Sequence, residues 1–286
     1  MKLSFITPTN FIQKYQKQGD FVLGLSHLMK LDKVTAYEKA IVNTKLPIVL
    51  DNGLFENHVP EPLQSLIKKA IKINATHFFV PDMLYDTKGT KESLQNAILT
   101  VKKMKKNLSK EKLKNFPKIA AVVQADNDKD YWKQLREFNQ NPEVEMIGLS
   151  ILAIPKSFKR NIRKYDITKS RMYLLRKMKQ ETKAFGYKWK PCHLLGLGNS
   201  YEDVFYAAKH CPFVVSNDTS SAFWNGVQRK SLVGKNCEVS GGKTKIPVDF
   251  NFKIITSLQQ DKIQKNIHSL QPFLEILLYH PNNRIF

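Results

Sequence analysis

Acidic residues are scarce in this chain: 25 Asp plus Glu stand against 46 Lys plus Arg, a formal charge of +21. That excess is large for a cytosolic enzyme of small molecules. It predicts attraction to polyanions, because Lys and Arg neutralise phosphates and release counterions. A lysine-rich surface inherited from an AT-rich genome is the competing source of the charge. The basic stretches Lys102-Lys-Met-Lys-Lys106 and Lys156-Ser-Phe-Lys-Arg160 fit a solvated helix face or a rim that tracks phosphates. Cysteine is also rare. Cys192, Cys211 and Cys237 are an odd number at wide spacings with no C-x-x-C pair, which argues against a disulfide framework and, less strongly, against a structural zinc site. His193 beside Cys192 reads as a packed strand residue rather than a metal ligand. Long apolar runs are missing too, so no membrane span is expected. The opening Met1-Lys-Leu-Ser-Phe-Ile-Thr-Pro8 is too short and too soon broken by proline for a signal peptide. These absences lead to the expectation of a soluble, cytoplasmic protein.

What is present is a core. With 42% hydrophobic residues over 286 positions, the chain exceeds what a disordered or minimal domain carries. Eight apolar, β-prone runs recur: Leu3–Thr7, Phe21–Leu25, Pro47–Leu50, His77–Val80, Ile119–Gln124, Met146–Ile151, His193–Gly198 and Phe213–Ser216. Most are continuous rather than alternating, as strands buried on both faces should be. Helix-like segments separate them at Phe11–Lys17, Val34–Val42, Glu61–Ile73, Lys91–Leu108, Lys129–Phe138, Lys169–Phe185 and Tyr201–Lys209, with Ser200 placed to cap the last. Strict β-then-α order over eight runs predicts an α/β fold, a TIM-type (β/α)8 barrel. No linker divides the chain, so residues 1–226 are assigned to the catalytic barrel. Residues 227–286 form a C-terminal loop and helical extension packed on it, with a helical stretch over Lys253–Tyr279. Within that extension Ser240-Gly-Gly-Lys-Thr lacks the first glycine spacing of a P-loop, so it is a weak candidate for nucleotide binding.

Three of the apolar runs end on aspartate: Leu46-Pro-Ile-Val-Leu-Asp51, Thr76-His-Phe-Phe-Val-Pro-Asp82 and Phe213-Val-Val-Ser-Asn-Asp218. Any one of them has a structural explanation as a turn or helix cap. Together they gather costly carboxylates at strand ends, where a β/α barrel builds its active site. Gln124 follows the fifth run, Gly148-Leu149-Ser150 closes the sixth, and Leu195-Gly196 lies in the seventh.

In this order the segments resemble the tRNA-guanine transglycosylase superfamily. Asp51-Asn-Gly-Leu-Phe-Glu56 is similar to its D-S-G-G-F-Q segment, and Val80-Pro-Asp82-Met to F-D-E-C. Ala121-Val-Val-Gln124-Ala resembles G-I-V-Q-G, Ile147-Gly-Leu-Ser150 resembles G-G-L-A, and His193-Leu-Leu-Gly-Leu-Gly198 resembles Y-L-M-G-V-G. Asn217-Asp218 through Asn225-Gly226 echoes the nucleophile segment. The family's C-x-C-x-x-C zinc cluster is missing, which brings the chain closer to the phage and bacterial DNA-guanine transglycosylases of the DpdA type. The resemblance implies exchange of guanine in DNA for a free 7-deazaguanine base, cyano- or amide-substituted, with no cofactor and no zinc. It implies Asp218 as nucleophile, Asp51 as general acid/base and Asp82 as reader of the guanine donor edge. Gln124 and the Gly148 amide would bind the base carbonyl, Phe55 would stack on its face, and Leu195 and Gly196 would line the 7-substituent, with Leu149 and Ser150 nearby. The chemistry asks for such groups on its own terms: retention at C1′ needs a carboxylate nucleophile and one positioned acid/base. The alternatives are the same exchange on tRNA, a nucleic-acid-binding barrel without catalysis, and a small-molecule deoxyribosyltransferase.

Overall fold

Continuous apolar runs suit strands covered on both faces, and all eight become strands of one parallel sheet in the computed structural model, which describes residues 1–159, 166–198, 200–232 and 249–271. The strands are β1 (Lys2–Phe5), β2 (Val22–Leu25), β3 (Ile48–Asp51), β4 (His77–Phe79), β5 (Lys118–Val122), β6 (Val144–Ser150), β7 (Cys192–Leu195) and β8 (Val214–Thr219). Their order, β1-β8-β7-β6-β5-β4-β3-β2, makes a TIM-like barrel that is nearly closed. The seam lies between β1 and β2, and side chains bridge it. Ser4 Oγ accepts the Leu23 N–H at 2.9 Å and Asp20 Oδ2 accepts the Leu3 N–H at 2.8 Å. The Leu25 N–H goes to Tyr37 Oη at 2.9 Å, so these three unladdered backbone donors of the edge are met.

Helices alternate with the strands: α1 (Ala36–Val42), α2 (Leu54–Asn57), α3 (Leu63–Lys72), α4 (Thr87–Lys105), α5 (Lys110–Lys114), α6 (Asp128–Gln140), α7 (Ala153–Ser157), α8 (Ile167–Phe185), α9 (Glu202–His210), α10 (Ser221–Val227) and α11 (Ser257–His268). The helix expected over Phe11–Lys17 is instead two short 3-10 turns, Thr9–Phe11 and Gln16–Gln18. Phe11, Ile12, Tyr15 and Gln16 are all buried there, and the rings of Phe11 and Tyr15 pack on Phe223. That burial is wider than one helical stripe, so tertiary packing overrides the local helical pattern. Helix α9 starts one residue later than its sequence suggests. Its N-cap is Tyr201, and Ser200 Oγ accepts only the Glu202 N–H at 3.4 Å.

The C-terminal extension docks through α11. Gln259 Nε2 donates to Val227 O at 2.7 Å, and Asn266 Oδ1 accepts the Leu232 N–H at 2.8 Å. The stretch expected to be helical to Tyr279 is helical over Ser257–His268, while residues 272–286 and the Gly/Lys-rich loop at Val239–Lys245 lie outside the described residues. Close approach of α10 to α11 depends on Gly226, where a Cβ would stand 2.6 Å from Ile263 Cα and 2.7 Å from Ile263 N. Backbone cannot yield as a side-chain tip does. Gly226→Ala is therefore expected to cost ~1–3 kcal/mol by overpacking and to loosen α11 selectively. Hydrogen exchange read by mass spectrometry should show faster exchange over 257–268 with the barrel strands unchanged.

Candidate active site

Alternation along a strand decides which side chains face the barrel interior. Phe21, Leu23, Val49, Phe79, Ala120, Val122 and Met146 form the inner core. Their strand neighbours, among them Leu50, Phe78, Ala121, Ile147 and Leu194, join the outer core beneath the helices. Two residues beyond Val49 is Asp51, beyond Val122 is Gln124, and beyond Met146 is Gly148. On β7 the inner position is His193, whose ring packs against Phe21 and Phe79 at 5.8 and 5.6 Å. On β8 Ser216 and Asp218 share the face that reaches His193. An apolar inner core is thus capped by polar groups at the carboxyl ends of the strands, the end where barrel enzymes place their chemistry.

Asp218 is buried and its two oxygens are treated differently. Oδ1 accepts from His193 Nε2 and from the Gly196 N–H, both at 2.9 Å. Oδ2 takes no hydrogen bond from the described residues. Ser216 Oγ lies 2.8 Å from His193 Nδ1, so one neutral tautomer, N–H at Nε2 and a lone pair at Nδ1, serves both neighbours. The Gly196 amide reaches Asp218 because residue 196 is at φ +73°, a left-handed turn suited to glycine. Its carbonyl is gripped from the other side by Arg171 Nη1 and Nη2 at 3.0 and 3.1 Å and by Asn217 Nδ2 at 2.9 Å. Arg171 in turn pairs with Asp203, and both side chains are fully buried.

Asp82 is held by two side-chain amides: Asn52 Nδ2 donates to Oδ1 and Gln124 Nε2 to Oδ2, both at 2.5 Å. Asn52 Nδ2 also reaches Val80 O at 2.9 Å, which ties the loop after β3 to the end of β4. Gln124 is itself fixed, its N–H donating to Gln134 Oε1 at 2.7 Å and its Oε1 accepting the Tyr85 N–H at 3.3 Å. Burial pushes the Asp82 carboxyl up to about 7 against these donors, and the charge of Asp51 adds to the rise. Asp51 accepts the Gly53 N–H at 3.0 Å. Burial lifts it to about 6, opposed by that hydrogen bond and reinforced by Asp218. The three aspartates therefore form one electrostatic site. No protein-family model matches the chain, and no curated protein matches it either.

The remaining site candidates divide. Gly148 pairs with Val122 and His193 in mid-sheet and its carbonyl takes the Val123 N–H at 3.2 Å, so its backbone is engaged in the ladders. Its missing side chain lets Leu195 and Phe79 pack close, since a Cβ would stand 2.9 Å from Leu195 Cδ1 and 3.0 Å from Phe79 Cε1. Leu195 packs on the inner core and Ser150 closes β6, its Oγ accepting the Leu152 N–H at 3.1 Å. Leu149 presents only its backbone toward the interior. The two-residue period turns its side chain into the outer core, away from the carboxylates. Phe55 on α2 is 60% exposed at the mouth, with Met83 and Leu84 of the next loop also exposed.

Sequence reasoning missed His193, Ser216, Asn52, Gln134, Arg171 and Asp203. His193 is packed in a strand as expected, yet it is also the hydrogen-bond donor to Asp218. The signal available was the period of two that aligns Ser216 with Asp218.

Among the described residues, Cys192, Cys211 and His193 do not form a rearranged zinc site. Cys192 faces the outer core while His193 faces the interior, and burial pushes both the Cys192 and Cys211 thiols far up. Both His193 nitrogens have partners already, and Cys237 lies outside the described residues. Among the described residues no group of three or more His, Cys, Asp or Glu side chains is arranged to hold a metal ion. No helix among them is long and apolar enough to cross a membrane. The run Lys102–Lys106 ends α4, at the barrel face opposite the carboxylates, where lysines suit a helix C-terminus. Lys156 is on the site's face, its Nζ 3.9 Å from the centre of the Tyr85 ring. Arg160 is outside the described residues.

Proposed function

We propose that this chain is a transglycosylase that exchanges guanine in DNA for a cyano- or amide-type 7-deazaguanine through a covalent aspartyl–deoxyribose intermediate. The observation that carries the reading is Asp218, with Oδ1 pinned by His193 and Gly196 while Oδ2 takes no hydrogen bond from the described residues. A nucleophilic carboxylate needs one oxygen oriented and the other available.

In the proposed course Asp218 Oδ2 attacks C1′ on the face opposite the base. Asp51 gives a proton to the departing guanine, later removes one from the incoming base, and the second displacement restores the starting configuration. Asp82 accepts the N1–H and exocyclic amine of guanine, with Gln124 beside it and the exposed Phe55 ring available for stacking. Leu195, packed beside Gly148, and Gly196 would lie near the 7-substituent. A base inside a duplex does not reach such a pocket, so the nucleotide is flipped or single-stranded, at a cost of a few kcal/mol. The +21 charge supports a polyanionic substrate that offsets this cost.

The test is direct. Incubate the protein with guanine-containing DNA and a panel of 7-deazaguanines, digest to nucleosides, and weigh the products; tRNA is offered in parallel. A deoxynucleoside carrying the added base is expected. No exchanged base in either polymer, from protein shown to be folded, overturns the reading. Salt-dependent DNA binding without exchange would identify a binding barrel instead.

A further inference from the structure

Lys156 lies on α7, which directly follows β6, and so stands at the carboxyl end of the barrel with the three aspartates. It opens the basic stretch Lys156-Ser-Phe-Lys-Arg160, which the exchange chemistry leaves without a task. The side chain is half-buried, yet among the described residues no carboxylate pairs with it. Its company is the Tyr85 ring, whose centre is 3.9 Å from Nζ. That choice of neighbour matters. A carboxylate would cancel the charge and take up N–H donors. An aromatic face attracts the ammonium through its quadrupole and leaves the charge and the donors for a further acceptor. Lys69, at the same end of the barrel, shows the contrast, being occupied by Glu61 at 2.8 Å and Ser26 O at 3.0 Å.

Tyr85 is held in place from within the site. Its backbone is at φ +64°, in the left-handed region that a bulky residue rarely adopts. A tight turn fixes it there: the Asp86 N–H donates to Met83 O at 3.0 Å, and the Tyr85 N–H goes to Gln124 Oε1 at 3.3 Å. The same Gln124 side chain donates through Nε2 to Asp82 at 2.5 Å. Asp86, next in the chain, spends Oδ1 on the Gly89 N–H at 2.9 Å as the cap of α4. A strained residue kept beside a site points to a use for its position. One side-chain amide thus connects the carboxylate assigned to the base with the ring that seats the ammonium.

We infer that Lys156 binds a backbone phosphate of the DNA strand beside the nucleotide held in the pocket, with the Tyr85 ring as its seat. The inference takes its polymer from the exchange reading above and deepens it. The pocket itself gathers Asp51, Asp82 and Asp218, and such a site repels a polyanion. A strand that enters it needs a cation at the rim that no protein acid has already neutralised. Lysine suits this, as a point charge on a flexible stem that meets phosphate without reading sequence. The contact fixes register instead: it sets which nucleotide of the strand faces Asp218.

Binding of a fluorescent single-stranded oligonucleotide with one guanine, followed by anisotropy from low to high salt, tests this without turnover. Lys156→Gln should weaken binding and reduce the slope of log K against log salt by about 0.7, the share of one phosphate in a single strand. Lys156→Arg keeps the charge and should keep the slope. If Lys156→Gln does not fold, Lys156→Met preserves the apolar stem on the Tyr85 ring and serves in its place. The phosphates are then neutralised one at a time as methylphosphonates. At one linkage adjoining the guanine the wild type should lose as much affinity as the Lys156 substitution costs, and the variant should lose nothing further. An unchanged slope, a variant that responds to every methylphosphonate as the wild type does, or a wild type without salt-dependent binding overturns the inference. Exchange by a protein whose binding ignores Lys156 removes the phosphate contact and leaves the exchange reading standing. Binding that depends on Lys156, with no base exchanged in either polymer, keeps the contact and overturns the exchange reading.

Discussion

Asp218→Ala should reduce base exchange by at least ~10³-fold, to the background of the assay, while leaving DNA binding and its salt dependence intact. The size of the effect follows from what the residue supplies. Removing a general acid slows a double displacement, but removing the nucleophile deletes the intermediate. Asp218→Asn should be nearly as inactive. It preserves shape, and one of its side-chain atoms can still lie beside His193 Nε2, yet an amide oxygen is a poor nucleophile at C1′. The decisive measurement is the intermediate itself. Wild-type protein quenched during turnover should carry DNA through a denaturing gel, and proteolysis should put the deoxyribose adduct on the peptide containing Asp218. Exchange that survives in Asp218→Ala would place the nucleophile elsewhere. On the proposed reading the basic surface supplies the polymer contacts, so binding measured against salt separates loss of chemistry from loss of the fold.

How much of this was legible in the sequence depends on the range of the forces involved. The barrel was readable because its signal is local and repeated. Runs such as Ile48–Leu50 and Met146–Leu149 are apolar at every position, which only strands covered on both faces require. The strand-end aspartates were readable for a related reason, since an ionised group after such a run needs something to do. The hydrogen-bond partners were not readable. Asn52 looked like half of an Asn-Gly turn, and only the pairing of β3 with β4 brings its amide to Asp82, 30 residues on. The outward direction of the Leu149 side chain was not readable, because nothing in a continuous apolar run marks which alternate residues face inward. The register against β7 and the two separate cores settle that. Asp203 lies in a first helical turn, where an acid ordinarily needs no distant partner. Its partner Arg171 lies 32 residues earlier on another helix, and no local pattern announces the pair.

Arg171 is where the second large effect is expected. Arg171→Met should destabilise the fold by ~3–5 kcal/mol, because it leaves Asp203 buried without its charge partner. It also removes the guanidinium from the Leu195 and Gly196 carbonyls, which flank the Gly196 N–H that holds Asp218, and leaves Asn217 as the remaining side-chain donor to the Gly196 carbonyl among the described residues. The variant should therefore lose exchange activity beyond its loss of folded protein, and chemical denaturation beside kcat on the folded fraction separates the two. The pH dependence gives the mechanism away. Burial already raises the Asp203 carboxyl above its ordinary value even with Arg171 opposing it. Without Arg171 that rise is larger. A carboxyl whose folded value is raised contributes its full stability below the unfolded value of about 4 and loses it as pH climbs through the folded value. The gap between wild type and variant should accordingly be smallest near pH 4 and widen toward neutrality. A gap that stays constant with pH would mean that packing around the lost side chain, not the stranded carboxylate, sets the cost. Arg171→Met combined with Asp203→Leu removes both charges and should recover much of the stability, since a buried pair replaced by apolar groups of similar volume is often neutral. The double variant should not recover activity. Nothing in it restores the guanidinium's grip on Gly196, and an Asp218 beside a Gly196 held by Asn217 alone is the state its residual rate would report.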